Sequence, residues 1–206
     1  MESGIDAIAL SDNRNGIYLE WHPVLDKDLL AYDIFRSAGD STGSFPLLAS
    51  VGKDFGVIDT FFVDTLQVAV GIRYYYYIIA RDEAGQLSER SEKIDYKLVP
   101  QPVLGFPVNV QINGDFFFEW DFNAQFVPNS FVFRLWKDFF GNNQNILTKL
   151  FTAGTDYQLS THQEWNLAKL GLPSTLPTGM YRWRIDALGA ENNQGSESME
   201  AAFSIR

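Results

Sequence analysis

The chain has 206 residues, a formal net charge of −10, a hydrophobic share of 46%, an aromatic share of 15% and no cysteine. That length holds one or two domains of ordinary size, and the hydrophobic share excludes a disordered chain. The acidity argues against binding to nucleic acid or anionic membrane surfaces, and without cysteine there are no disulfides, thiolate nucleophiles or cysteine-bound zinc.

In chain order, Met1-Glu2-Ser3-Gly4 shows no basic stretch followed by an apolar one. A signal peptide or lipid anchor is therefore expected to have been removed from the mature chain. Asp12-Asn13-Arg14-Asn15-Gly16 carries turn chemistry, and the run after it alternates with Ile17, Leu19 and Trp21 on one face. Period-2 alternation predicts a strand with one buried and one wet face. Tyr74-Tyr75-Tyr76-Tyr77 opens the longest apolar run, at 74–80. It is far short of the roughly 18–20 residues a membrane helix needs, so no membrane span is expected. If Tyr74 and Tyr76 face the core, Tyr75 and Tyr77 face outward.

Two prolines within 99–103 mark a break near mid-chain, since proline cannot donate to a sheet ladder. Domains over residues 1–99 and 100–206 follow. In the second half 108–112 and 203–205 alternate as strands, and Asn113-Gly114-Asp115 is a hairpin cue. Phe116-Phe117-Phe118 leaves Phe117 pointing away from the side of Trp120. Phe139-Phe140 stands beside Gly141-Asn142-Asn143-Gln144 at an expected loop tip. Residues 161–171 read as a short helix, with Thr161 as cap, Glu164 three residues on and Gly171 as its end. Trp165, Ala168 and Leu172 would share one face of it.

The halves repeat. Glu20-Trp21 matches Glu119-Trp120, Tyr32 to Arg36 matches Phe131 to Leu135, and Tyr74-x-Tyr76-x-Ile78-x-Ala80 matches Tyr181-x-Trp183-x-Ile185-x-Ala187. Three matches in one order point to two copies of one plan. These residues resemble fibronectin type III domains of the bacterial kind. The resemblance implies an all-β fold of two tandem fibronectin type III or immunoglobulin-like sandwiches. Trp21 and Trp120 would be core residues of the second strand, and Tyr74 and Tyr181 the tyrosine corners that open the sixth. The run containing Tyr157, Trp165, Leu170, Tyr181 and Trp183 is similar to immunoglobulin-like modules of outer-membrane glycan-capturing lipoproteins.

Chemistry is sparse. His22 and His162 stand in different halves with no second histidine at metal-ligand spacing, and no nucleophile elbow or phosphate-binding glycine loop is present. Neither an enzyme, a metal site nor a cofactor is expected. Asp59, Asp64, Asp82 and Glu83 can converge at one end of a sandwich, yet such carboxylates are mostly solvated turn residues. The calcium-like run 12–16 has Arg14 at a ligand position. The outward aromatics stay open between two roles, packing against other parts of the chain and meeting a partner. The expected function is a non-catalytic extracellular or cell-surface structural or adhesive module with a protein partner. The alternative is a glycan-binding surface or periplasmic lipoprotein that uses exposed aromatics of the second domain, with Phe139, Phe140, Asn142, Asn143 and Gln144 as candidates, while Tyr75 and Tyr77 are further candidate residues for meeting a partner of either kind.

Overall fold

A computed structural model describes residues 4–54, 56–139 and 142–206. It divides into two compact units, one of residues up to Ile8 with Gly16–Leu98, the other of Ala9–Asn15 with Val99–Arg206.

The first unit is built from β1 (Ile5–Ala9), β2 (Asn15–Glu20), β3 (Leu29–Ala38), β4 (Leu47–Asp54), β5 (Val57–Ile58), β6 (Phe61–Asp64), β7 (Arg73–Asp82) and β8 (Ile94–Leu98). One sheet runs β1-β2-β6, the other β8-β7-β3-β4-β5. The alternation in β2 and β7 has a direct reading. Ile17, Leu19, Tyr74 and Tyr76 are buried, and with Ile34 and Tyr96 they form a core between the two sheets. The inner faces of the two sheets meet in this core, which makes this unit a β-sandwich.

The second unit contains β9 (Val103–Phe106), β10 (Val110–Ile112), β11 (Phe117–Asp121), β12 (Ser130–Phe139), β13 (Asn142–Thr152), β14 (His162–Asn166), α1 (Leu167–Leu170), β15 (Gly179–Leu188), β16 (Gln194–Glu197) and β17 (Ala201–Ile205). Here β14-β11-β9 form one sheet, and β15 carries β17, β16 and β12 in the other, with β13 outside β12. Its core is more aromatic. Phe118, Trp120, Phe131, Phe133 and Trp183 all have no exposed surface, and their rings meet edge-on or tilted at 4.9–6.2 Å, apart from the stacked Phe133–Trp183 pair. Such offset geometries suit the quadrupole of the rings.

Both tyrosine corners close in the same way. The Tyr181 hydroxyl donates to the Pro177 carbonyl at 2.5 Å. The Tyr74 hydroxyl donates to Gln67 O at 3.0 Å and accepts from Ala69 N at 2.9 Å. Each bond ties the start of its strand to the connection just upstream.

Two expectations need correction. The helix expected over 161–171 is only one turn, Leu167–Leu170. Asn166, not Thr161, caps it by accepting from Lys169 N, and Gly171 ends it at φ 80°. Residues 162–166 are strand, because Gln163 and Trp165 are buried at every second position with Glu164 outside. Trp165 therefore shares no helical face with Ala168 and Leu172. Trp21 lies one residue beyond β2 and is half-buried, unlike Trp120.

Candidate functional site

The repeat supplies an internal control. Trp21 and Tyr32 stand 99 residues before Trp120 and Phe131, and Ile78, Ala80 and Ile94 stand 107 before Ile185, Ala187 and Ala201. In the second unit these positions are sealed, with Trp120, Phe131, Ile185 and Ala187 wholly buried and Ala201 at 5% exposure. In the first unit Trp21, Ile78, Ala80 and Ile94 are only half-buried. They line a groove of about 380 Å³ together with Tyr32, Val24 and a polar rim.

Two differences between the units go with the opening. In the second unit Trp165, opposite Phe118, brings its ring to 5.5 Å from Trp120 and 5.4 Å from Phe131. The corresponding residue opposite Leu19 is the smaller Phe62. The chain returning alongside the late part of the tyrosine strand also differs. It forms β16 in the second unit, whereas residues 88–93 of the first are not strand. Two serines hold that segment instead. Ser88 N donates to Ala80 O and Ser88 Oγ accepts from Ala80 N, both at 2.9 Å. Ser91 repeats the pair on Ile78 at 2.9 and 3.0 Å. Ser198 does the same on Ile185 at 2.8 and 3.0 Å, again 107 residues on from Ser91. These serines and the groove were missed from sequence, although extending the 107-residue spacing past Ala187 would have paired Ser91 with Ser198.

The groove rim is acidic. Glu20, Glu89 and Glu92 are exposed, and among the described residues none has a cationic partner. The two nearby cations in the same segment are engaged. Arg90 sits over the Tyr77 ring at 5.4 Å, and Lys93 Nζ donates to Ser41 O at 2.8 Å. Inside, Tyr32 packs edge-on against Trp21 at 5.3 Å, and its hydroxyl accepts from Val24 N at 2.7 Å. The Trp21 indole N–H is shut off from solvent and has no acceptor.

On the outer face of the β7 sheet Tyr75 and Tyr77 are half-buried. Tyr77 stacks on Phe35 at 4.9 Å and meets Phe45 at 5.2 Å, which covers much of its ring. Phe117 is likewise half-covered by Phe106 at 5.3 Å. Trp136, not singled out from sequence, is half-buried on β12 opposite Asn145 and Arg182, with the Arg184 guanidinium 5.7 Å over its ring. Phe140 and the side chains of Phe139 and Asn142 lie outside the described residues. Asn143 and Gln144 are exposed on β13.

The carboxylates considered from sequence do not converge. Asp64 has no exposed side-chain surface. It accepts from Arg36 and the Tyr76 hydroxyl, each at 2.8 Å, and the burial of Tyr76, together with the Asp64 charge beside it, pushes the Tyr76 phenol well above its usual range. Asp82 accepts from Gln86 N in a turn, and Glu83 pairs with Lys53 at 3.0 Å. Asp12 pairs with Arg14 at 2.6 Å instead of facing an ion. Asp33 is held below the usual carboxylate range, chiefly by its hydrogen bond from Arg81 and then by Ser50, against the opposing effect of burial. His162 bonds Asp121 at 2.9 Å, which raises its pKa above the usual histidine value. Among the described residues no group of three or more His, Cys, Asp or Glu is placed to hold a metal ion.

No family model and no curated protein sequence matches the chain. A crystal structure of chicken CNTN1 FN1-FN3 domains is similar over 98% of this chain and 65% of its own length, so the chain spans less than two thirds of that structure. The sequence identity is 14% and the TM-score 0.32. A likeness this low carries no argument, and the sandwich assignment rests on the strand order and cores of the two units.

Proposed function

We propose that the chain is a non-catalytic extracellular or cell-surface interaction module, made of two tandem fibronectin type III-like domains over 1–99 and 100–206, which binds a protein partner through the groove of the first. One observation carries this reading. Inner positions that are sealed in one copy of the plan, those of Trp120, Ile185, Ala187 and Ala201, are only half-buried in the other, at Trp21, Ile78, Ala80 and Ile94. An apolar concavity with a few polar groups at its mouth is the usual form of a binding site.

The test uses the intact protein as bait against purified surface proteins of its source, beside an Ala80→Phe variant that fills the groove. Circular dichroism checks that the variant is folded. A partner retained by the wild type and released by the variant supports the reading. Equal retention by both refutes it.

A second reading, polysaccharide binding by a surface lipoprotein, is favoured by Trp136 beside Arg182 and Asn145 on the outer face of the second unit. A flat ring bordered by hydrogen-bonding groups suits a sugar ring. Retention on a polysaccharide that is lost in Trp136→Ala, or in Phe139→Ala/Phe140→Ala, would support it. No retention on any polysaccharide would end it.

A further inference from the structure

We propose that the groove of the first unit receives a basic side chain, arginine or lysine, of the protein partner. The inference rests on the docking role given to the groove above and names what enters it.

Three features point to a cation. The groove is lined by the half-buried Trp21, with the buried Tyr32 and Tyr76 also bordering it, and aromatic faces attract ammonium and guanidinium groups, tryptophan most strongly. Its rim carries Glu20, Glu89 and Glu92, three carboxylates without a cationic partner among the described residues. The cations of the same segment, Arg90 and Lys93, are engaged on the Tyr77 ring and on Ser41 O. Anionic rim, aromatic wall and missing counter-charge together are complementary to a long side chain with an apolar stem and a charged head. The stem lies along Ile78 and Ile94 while the head meets the glutamates. The net charge of −10 adds long-range attraction for a basic partner.

An acidic or purely apolar anchor fits less well. The first meets three carboxylates, and the second leaves them without a partner while covering them from water.

The test is an NMR titration of the intact 206-residue protein. The probes are acetyl-Gly-Arg-Gly-amide, acetyl-Gly-Lys-Gly-amide, acetyl-Gly-Leu-Gly-amide and acetyl-Gly-Glu-Gly-amide. The resonances followed are the Trp21 indole N–H and the methyls of Ile78 and Ile94. The basic peptides are expected to shift these signals and the acidic one to leave them unmoved. Binding should weaken about tenfold or more in Glu89→Gln/Glu92→Gln, and again between about 0.1 M and about 1 M salt, where screening shortens from about 10 Å to about 3 Å. If the leucine peptide binds as well as the arginine peptide, or the double variant binds unchanged, the basic anchor is wrong while the docking groove stands. If none of the four peptides moves these signals, the groove is not a docking site and both proposals fall.

Discussion

Asp64→Ala is expected to be the most damaging single change in the first unit. The Asp64 carboxylate is fully enclosed and satisfies three donors: Arg36 Nη1 and the Tyr76 hydroxyl at 2.8 Å, and Leu66 N at 3.0 Å. Removing it leaves the Arg36 guanidinium, whose side chain is 16% exposed, with only the Leu66 carbonyl and the Tyr74 ring. Breaking one partner from a buried pair costs about 3–5 kcal/mol, and the orphaned Tyr76 hydroxyl adds to that within the same network. A loss of about 4 kcal/mol is a large part of the 5–15 kcal/mol that holds a domain, and corresponds to a fall in Tm of at least about 15 °C. The second unit shows the apolar solution, with Leu135 where Arg36 stands, Trp183 for Tyr76 and, counting on from the Phe62–Trp165 pair, Leu167 for Asp64. The triple variant Arg36→Leu/Asp64→Leu/Tyr76→Phe is therefore expected to return to within about 2 kcal/mol of the wild type. Urea unfolding followed by the ¹⁹F signal of 5-fluorotryptophan at Trp21, the first unit's single tryptophan, measures both. A loss below about 1 kcal/mol in Asp64→Ala, or a triple variant no more stable than the single, would refute the reasoning.

Tyr181→Phe removes one hydroxyl bond and is expected to cost about 1 kcal/mol, whereas Tyr74→Phe removes two and should cost more, up to about 3 kcal/mol, by equilibrium denaturation. The His162 ring, held by Asp121, is expected to titrate above the ordinary histidine value by NMR, and Asp121→Asn should bring it back down. Because the folded pKa is the higher one, the stabilisation from this pair is complete below the unfolded pKa and disappears as pH rises through the folded value. Asp33 works in the opposite sense. Its folded carboxyl is depressed, so its contribution is present above the unfolded pKa and is lost as pH falls through the folded one. The stability difference between Asp33→Asn and wild type should therefore shrink on acidification, and an undiminished difference in acid would contradict the assignment to Arg81.

Much of the architecture was legible because its signals are local. Ile17 and Leu19, Tyr74 and Tyr76, and Tyr181 and Trp183 alternate along single strands, and each corner tyrosine bonds within seven residues of itself. The helix was overread because Thr161 and Glu164 imitate a capping box. The period-2 burial of Gln163 and Trp165 decided the backbone in favour of a strand. The Arg36–Asp64 pair joins residues 28 apart and buries an aspartate that sequence reasoning placed among solvated turns. A weaker cue was present, since Arg36 follows Tyr32 and Ile34 on the inward face and aligns with Leu135. The groove was beyond local reading altogether. It depends on the cross-strand size difference between Phe62 and Trp165 and on a return segment held by serines instead of a full ladder.

The most direct measurement of the central claim is the exposure of the groove itself. A soluble gadolinium chelate added to the methyl- and indole-labelled protein broadens side-chain signals that solvent can reach. Strong broadening is expected at the Ile78 and Ile94 methyls, and little at the matching Ile185 and Ala201 of the second unit. Equal protection of both sets would show that the first unit is as closed as the second, and would contradict a docking role for the groove.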